Sequence, residues 1–411
     1  MISIAILGHG VVGSGVAEII LNHADELAAK AGQPVTVGKI LDLRTFPALP
    51  YAHLFTQNVD DILQDDSIAI VVETMGGLHP AYDFVKAALL AGKSVVTSNK
   101  ALVAAFGDEL LAIAKEKNLN FLFEASVGGG IPILRPLHQC LAANRVEEIA
   151  GILNGTTNFM LTKMFAEGMS FDEALALAQQ LGYAERDPSA DVEGHDACRK
   201  ICILASLAFG KHIRPEEIHT EGITKISARD VQCAAALDGV IKLIGRVKPT
   251  ADGHLHCLVA PMVVANDNLL AGVNDVYNAI MVRGDSVEDV VFVGRGAGKL
   301  PTASAVVADV IDEVHHMTTR KPLFWGPAED GFVQDSRQAA VRMLVRVTCT
   351  QPDEAKKAIA DAFGQAEWVS VGDAPAEELV FITPCMAEQE LEDTLSALSL
   401  VTVESRLRLF A

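Results

Sequence analysis

Short apolar runs alternate with longer amphipathic stretches over the first 125 residues of the chain. The apolar runs predict strands at residues 2–7, 35–41, 68–74, 94–97 and 120–124. The stretches between them predict helices from about residue 10 to 30, at 79–92 and from residue 101. Because strands that alternate with helices form a parallel sheet covered on both faces, we expect an α/β fold with a doubly wound sheet.

The turn after the first strand carries a glycine pattern. Residues 8–15 read GHGVVGSG, which is the G-x-G-x-x-G pattern between a strand and a helix. In such a turn the first glycine permits the bend, the second admits a pyrophosphate, and the third lets helix and strand pack. A purely structural turn is the alternative. We predict a Rossmann-type dinucleotide domain over residues 1–130, with cofactor-binding candidates Gly8, Gly10, Val11, Val12, Gly13 and Gly15.

Polar residues end three of the predicted strands. Asp42 follows the second strand, where an acid binds the adenosine ribose and favours NAD, whereas nearby Arg44 could hold the 2′-phosphate of NADP. The sequence leaves this choice of cofactor open. Thr74 ends the strand at 68–74 and Lys100 follows the strand at 94–97, at the edge of the sheet where such folds bind ligands.

An acidic stretch lies in the middle of the chain, where residues 182–200 read GYAERDPSADVEGHDACRK. Asp196 and Lys200 are four residues apart, so they share a helix face and can pair. Pro188 and Gly194 break the preceding residues into a loop. A solvated acidic loop with an ordinary surface ion pair is an equally open interpretation.

Two segments before this loop contain short motifs, a capping box and a glycine turn. Residues 170–173 form a capping box, which predicts a helix over 171–181 that ends at Gly182. Residues 151–158 read GILNGTTN, a glycine turn suited to orienting a small polar ligand, although a plain turn fits nearly as well.

Three consecutive glycines, 128–130, follow the last strand of the first domain. Such a turn exposes backbone carbonyls, which could bind a hard monovalent cation together with the Glu124 carboxylate. A flexible crossover between domains also explains the glycines, and the sequence alone favours this explanation over the cation site.

Composition narrows the classes of partner. With 53 acidic and 33 basic residues the net charge is −20, which disfavours nucleic acid and anionic membrane surfaces. The seven cysteines form no Cys-x-x-Cys pair, and their odd number favours free thiols in a reducing cytoplasm. The sequence contains neither a signal-peptide pattern nor an apolar run long enough to span a membrane. We therefore expect a soluble, cytoplasmic protein.

The pattern restarts near residue 338 and continues to the end of the chain. It predicts strand, helix, strand, strand, helix and strand at residues 342–348, 353–363, 368–371, 378–383, 388–398 and 402–409. This βαββαβ order resembles an ACT domain, a module that binds amino acids. Asp353 stands where that family has a glycine. Feedback by a bound amino acid is one hypothesis, and a structural or dimerising tail is the other.

Seven motifs over residues 1–325 resemble, in their order, the homoserine dehydrogenases; they are GHGVVGSGV, ETMGG, TSNKAL, EASVGGGIPI, GILNGTTNFML, GYAERDPSADVEGHDACRK and RGAGKLPTASAVVAD. The resemblance implies NAD(P)-dependent interconversion of L-homoserine and L-aspartate 4-semialdehyde, a step in threonine, methionine and isoleucine synthesis. It also implies a homodimer or homotetramer, and it makes threonine the expected effector in the feedback hypothesis for the ACT-like tail. The implied organisation is an inserted α+β substrate and dimerisation domain at 131–300, a return helix at 301–325 and the ACT-like domain at 338–411.

The resemblance also implies roles for individual residues. The position of Lys200 is the proton donor, Lys100 lies between cofactor and substrate, and Asp196 would orient Lys200. Two nearby lysines would lower each other's pKa and stabilise negative charge on the reacting oxygen. Substrate-binding positions are Glu185, Asp191 and Gly182, and two glycines that border the nicotinamide are Gly296 and Gly298. A sodium or potassium ion would be held by Glu124 with Val127, Gly129 and Ile131.

A second class of function is a non-catalytic, amino-acid-binding regulatory protein with a degenerate cofactor fold. The two lysines and several acids argue against it, because a sensor needs no proton donor. His195 is a rival acid beside the motif, and we take it as structural. Asp187 and Glu193 have no predicted role.

Overall fold

The computed structural model describes residues 1–410, which form two compact units. The first unit contains residues 1–147, 199–215 and 282–330, and the second contains 148–198, 216–281 and the chain from 331 onward. The middle of the chain, predicted as one domain over 131–300, is thus shared between the two units. Among residues 1–410, no helix has the length and apolar character needed to cross a membrane.

A parallel sheet forms the centre of the first unit, as the alternating pattern predicts. Its strands are β1 (Ile2–Leu7), β2 (Val35–Leu41), β3 (Phe55–Thr56), β4 (Ile68–Glu73), β5 (Ser94–Thr97) and β6 (Phe121–Leu122). The helices are α1 (Val11–Asn22), α2 (Ala24–Ala31), α3 (Asp60–Leu63), α4 (Ala81–Leu90) and α5 (Lys100–Glu116). The strand order β3-β2-β1-β4-β5-β6 reverses its winding between β1 and β4, where sheets of this type bind ligands.

The middle of the chain adds both strands and helices. Its strands are β7 (Val146–Ile152), β8 (His219–Thr220), β9 (Gly239–Pro249), β10 (Leu255–Ala265), β11 (Tyr277–Gly284) and β12 (Glu288–Arg295). Its helices are α6 (Gly155–Glu167), α7 (Phe171–Gln180), α8 (Ser189–Val192), α9 (His195–Phe209), α10 (Ala228–Ala235) and α11 (Lys299–His315). The capping box of α7 is confirmed, because the Ser170 hydroxyl accepts the Glu173 N–H at 3.3 Å while the Glu173 carboxylate accepts the Ser170 N–H at 2.8 Å.

Helix α11 packs against α1 within the first unit. Its buried residues Ala303, Val306 and Val310 join the same apolar core as Ile4 and Ile6 of β1. The close approach explains a glycine of the cofactor motif. A Cβ added to Gly15 would lie 2.9 Å from the Cβ of Ala303, so Gly15 is required for helix packing.

The C-terminal segment, residues 338–410, has the predicted six elements. These elements are β15 (Met343–Thr348), α12 (Pro352–Phe363), β16 (Glu367–Trp368), β17 (Glu378–Ile382), α13 (Glu388–Ala397) and β19 (Thr402–Phe410). The segment also contains the two-residue strands β14 (Ala340–Val341) and β18 (Met386–Ala387), and β13 (Val333–Gln334) precedes it. The four strands of the predicted order pair as β19-β15-β17-β16, and we call residues 338–410 the C-terminal module.

The C-terminal module shares a sheet with the rest of the second unit. Strand β19 pairs in parallel with β10 at three positions, from Met262 opposite Arg408 to Val264 opposite Phe410. Strand β10 pairs on its other side with β9 along its whole length. The module is therefore continuous with the sheet that begins at β7, an arrangement that the repeating pattern of the tail did not predict.

Candidate active site

The glycine motif forms a turn in which the three glycines have different reasons to be glycine. Gly8 has a φ of +92°, a conformation that side chains disfavour. A Cβ on Gly13 would lie 1.9 Å from the Gly8 carbonyl oxygen and 2.7 Å from Oγ1 of Thr74, so no side chain fits there. A Cβ on Gly10, in contrast, would meet no atom within 4 Å. The turn itself thus requires Gly8 and Gly13, whereas Gly10 leaves space beside the start of α1.

That space adjoins the first N–H groups of α1. Gly10 is the N-cap residue and provides no side-chain cap, so the helix N-terminus presents its N–H donors and partial positive charge to a ligand. Val11 begins the helix with 67% of its surface exposed, while Val12 packs against the core of the unit. These features suit a pyrophosphate. Thr74 closes the turn from β4, because its hydroxyl donates to the Gly8 carbonyl at 2.9 Å.

Asp42 and Arg44 form an ion pair at the end of β2. The Asp42 carboxylate accepts hydrogen bonds from Nε of Arg44 at 3.0 Å, from its Nη2 at 2.9 Å and from the His9 backbone N–H at 2.8 Å. The Arg44 side-chain hydrogen bond is the main reason that the pKa of Asp42 lies well below its usual range. The Arg44 side chain is 62% exposed and its guanidinium lies 5.2 Å from the Phe46 ring centroid.

Sequence reasoning missed the aromatic surroundings of His9. The His9 ring packs edge-on against Phe46 and Phe55, at centroid distances of 4.7 and 5.0 Å, and its Nε2 lies 3.2 Å from the Tyr51 hydroxyl. Burial lowers the pKa of His9, which favours the neutral ring. A histidine between two motif glycines, followed by three aromatic residues after β2, is the signal that could have indicated this cluster.

The loops after β4 and β5 are joined by hydrogen bonds. The buried Glu73 carboxylate accepts the N–H of Met75 at 2.7 Å and the Thr97 hydroxyl at 2.5 Å. Asn99 caps α5 by accepting the N–H of Leu102 at 3.1 Å, and its side-chain amide donates to the Gly77 carbonyl at 2.7 Å. Lys100 is therefore the first residue of a helix whose start is fixed against the loop after β4.

In the second unit, one asparagine connects two carboxylates of the acidic stretch. Asn154 is the N-cap of α6, where its side-chain oxygen accepts the Thr157 N–H at 2.8 Å. Its side-chain nitrogen donates to Oδ1 of Asp191 at 2.7 Å and to Oδ2 of Asp196 at 2.9 Å. The glycine turn at 151–158 is thus more than a plain turn, because its asparagine holds two predicted site residues together.

The two residues at the start of α9 are buried, so the surface ion-pair interpretation is wrong for them. Asp196 is 4% exposed and Lys200, one helical turn later, is 6% exposed. Burying a charged group is costly unless it is paired, so these positions are unusual for a lysine and an aspartate. The structure gives α9 a charged face at its first turn and an apolar sequence afterwards.

The residues of the preceding loop, 182–194, are more exposed, and we call this segment the acidic loop. Gly182 has a φ of +75° just after α7, and the exposed Glu185 contributes its carbonyl to the Gln179 amide at 3.1 Å. Asp187, which had no predicted role, accepts the Ser189 N–H at 3.2 Å just before α8. Glu193 lies 3.3 Å from the exposed His195 ring, away from the buried pair.

The Glu124 carboxylate accepts hydrogen bonds from backbone N–H groups and from an arginine side chain. It accepts the backbone N–H groups of Ile133 at 2.6 Å, of Leu134 at 2.8 Å and of Arg135 at 2.8 Å, and Nε of Arg135 lies 3.3 Å away. The protein itself thus supplies four N–H donors to this carboxylate, and the sodium or potassium site formed with neighbouring carbonyls stays a prediction. Within residues 1–410, no cluster of three or more histidine, cysteine or acidic side chains is arranged to hold a metal.

The glycine turn next to Glu124 contacts the segment before α11. A Cβ on Gly129 would lie 2.3 Å from the Gly296 carbonyl oxygen, and the Gly130 N–H donates to the Arg295 carbonyl at 3.0 Å. Gly298, with a φ of +122°, is the N-cap of α11. Close approach therefore explains Gly129 and Gly130, whereas Gly298 is explained by its positive φ. The other predicted cation ligands, the carbonyls of Val127 and Ile131, belong to this turn.

Comparison with known proteins agrees with these features. The family model for homoserine dehydrogenase matches residues 132–311, and the model for the NAD-binding domain of homoserine dehydrogenase matches residues 8–124. The chain is 47% identical over 327 residues to a homoserine dehydrogenase from Synechocystis sp., covering 77% of this chain and 74% of that protein. One from Mycobacterium leprae is 36% identical over 425 residues, covering 97% and 94% of the two chains.

Solved structures extend the similarity to the whole chain. A homoserine dehydrogenase from Thiobacillus denitrificans superposes with a TM-score of 0.91 at 35% identity, covering 100% of this chain and 98% of that one. A hyperthermophilic archaeal homoserine dehydrogenase in complex with NADPH gives a TM-score of 0.65 at 31% identity, covering 76% and 98%. These relatives do not favour a non-catalytic regulator. The chain therefore belongs to the homoserine dehydrogenase family and is an oxidoreductase with a nicotinamide-cofactor domain.

Proposed function

We propose that the chain interconverts L-homoserine and L-aspartate 4-semialdehyde with a nicotinamide cofactor, in the synthesis of threonine, methionine and isoleucine. The observation that carries the assignment to particular residues is the asparagine-linked pair of carboxylates, Asp191 and Asp196, next to the buried Lys200. A loop that only carried solvated charge would not bury a lysine one turn after a buried aspartate.

The chemistry requires a hydride and a proton in the reducing direction. The cofactor supplies the hydride when it is bound, and the developing alkoxide then needs a proton from a group within hydrogen-bond reach. Lys200 is the proposed donor, because an ammonium group both gives a proton and stabilises negative charge on oxygen. Lys100, at the start of α5, would stabilise the same oxygen from the cofactor domain.

The acidic residues have separate proposed roles. Asp191 and Glu185 would bind the substrate ammonium group, which a carboxylate recognises through charge-assisted hydrogen bonds. Asp196 would orient Lys200 along α9. Asn154 supports both roles, because its amide fixes one oxygen of Asp191 and one of Asp196. Hydride transfer between carbon atoms needs no metal ion.

Lys200→Ala is the direct test of the proposed donor. We expect kcat to fall by about 10²- to 10⁴-fold, the usual contribution of a general acid, while cofactor affinity stays unchanged. Absorbance of the reduced nicotinamide measures turnover, and fluorescence titration measures cofactor binding. Lys225→Ala, at an exposed position of the second unit, is the control and should behave as wild type. Wild-type kcat in Lys200→Ala would reassign the acid, and an absence of turnover in the wild-type protein would refute the proposed reaction.

For the cofactor we propose a preference for NADP. The Asp42 carboxylate, which would bind the ribose diol of NAD, already accepts hydrogen bonds from Arg44, and the pair is neutral as a whole. The exposed guanidinium over Phe46 is suited to a 2′-phosphate, which arginine recognises well. A homoserine dehydrogenase relative of known structure holds NADPH.

Arg44→Ala tests this preference. We expect the ratio of kcat/KM for NADP to that for NAD to fall by about 10- to 100-fold, since a hydrogen bond to a charged group contributes about 1.5–3 kcal/mol. Arg337→Ala is a matched control, because Arg337 is also exposed and pairs with an aspartate two residues earlier, Asp335. An unchanged ratio in Arg44→Ala would show that the 2′-phosphate is recognised elsewhere.

The C-terminal module remains a proposed threonine sensor. Its βαββαβ order and antiparallel sheet support an amino-acid-binding module, and Asp353 lies in the first turn of α12 where the resemblance expects glycine. We expect added threonine to lower the steady-state rate at subsaturating homoserine. A rate that does not change at any threonine concentration would leave the module with a structural role.

The proposed location is the cytoplasm. Within residues 1–410 the seven cysteines form no disulfide, and five of them are buried, which supports a reducing compartment.

A further inference from the structure

The last strand of the chain carries a buried arginine with two carboxylate partners. Arg408 on β19 is 5% exposed. Its Nε donates to Glu388 of α13 at 2.9 Å, and its Nη2 donates both to Glu388 at 2.5 Å and to Glu221 at 2.7 Å. The first partner belongs to the C-terminal module, whereas Glu221 follows β8, 187 residues earlier. Arg408 therefore links the C-terminal module to the segment that follows β8.

Two side chains, those of His219 and Arg408, contact the Glu221 carboxylate. Its Oε1 lies 2.6 Å from Nε2 of His219 as well as near Arg408. Burial raises the pKa of Glu221, but the hydrogen bonds from His219 and Arg408 outweigh burial and hold that pKa below its ordinary value. The backbone N–H of Glu221 also donates to the Val259 carbonyl of β10 at 2.7 Å. Glu221 is thus an ionised, fixed residue.

The residues after Glu221 support the end of the acidic loop. The Ile223 N–H donates to the Val192 carbonyl at 2.8 Å. A Cβ on Gly222 would lie 2.1 Å from that same carbonyl oxygen and 2.5 Å from Cα of Glu193, so only glycine fits between the two segments. Val192 is the residue after Asp191. A displacement of residues 221–223 would therefore move the backbone that carries Asp191.

We infer that Arg408 is a positioning residue for the active site: by holding Glu221, it fixes residues 221–223 and, through them, α8 and Asp191. The C-terminal module thereby sets the geometry of the acidic loop even without an effector. The kinetic consequence rests on the proposed role of Asp191 in binding homoserine, whereas the mechanical connection does not.

A second set of ion pairs offers a matched control. Arg229 of α10 donates to Glu378 of β17 through Nη2 at 2.5 Å and Nε at 2.9 Å, so it also docks the C-terminal module. Its other hydrogen bonds go to Gln232 and Gly372, which lie outside the acidic loop and outside residues 221–223. Arg229→Gln therefore weakens docking without touching the proposed connection.

The experiment compares Arg408→Gln, Arg408→Lys and Arg229→Gln in the full-length protein. We expect Arg408→Gln to raise KM for homoserine by about 3- to 30-fold, the range for mutations along a coupled network, with cofactor affinity unchanged. Arg408→Lys should raise KM less than Arg408→Gln does, because lysine keeps the charge but cannot donate in the same forked geometry. Arg229→Gln should retain the wild-type KM even if its Tm falls.

Hydrogen–deuterium exchange of residues 185–194 provides a readout that does not depend on turnover. We expect faster exchange in Arg408→Gln than in wild type, and wild-type exchange in Arg229→Gln. If Arg408→Gln does not fold, Glu221→Gln is the second variant, since it keeps the side-chain shape while Arg408 stays paired with Glu388. Unchanged exchange, or the same change in Arg229→Gln, would overturn the inference. A changed exchange rate in a protein that never oxidises homoserine would refute the proposed function and leave the connection standing.

Discussion

Two carboxylates of the proposed active site, those of Asp191 and Asp196, accept hydrogen bonds from the same side-chain amide. The Asn154 nitrogen has two N–H donors, and each is directed at one carboxylate, while the oxygen of the same side chain caps α6. Without those donors the two negatively charged carboxylates would repel each other. Asn154 thereby holds Asp196 at the start of α9, one helical turn before Lys200.

The same loop is supported from its other side by the sheet. Strand β10 pairs with β9, with β8 and with β19, so the segment after β8 and the last strand of the chain lie on one continuous framework. Arg408 adds a charged contact to these backbone bonds. A C-terminal module built into the sheet can influence a binding loop by small movements, because packed strands transmit displacement rather than absorb it.

Much of the fold was predictable, because its signals are local. The parallel sheet, the glycine turn, the α7 capping box and the six elements of the C-terminal module all depend on residues near one another in sequence. The contacts that define the site are not local. Asn154 lies 37 and 42 residues from its two carboxylate partners. The Glu124 carboxylate accepts backbone N–H groups, which the sequence pattern did not indicate. The hydrogen-bond partners and the burial of these side chains depend on tertiary packing.

The central claim is that Asn154 sets the geometry of the site, and kcat/KM for homoserine in Asn154→Ala measures it most directly. A fall of about 100-fold with unchanged cofactor affinity is expected, because a displacement of about 1 Å can cost that much. Asn266→Ala, which removes an exposed asparagine–aspartate hydrogen bond, should leave the value unchanged. Wild-type kcat/KM in folded Asn154→Ala would contradict the account.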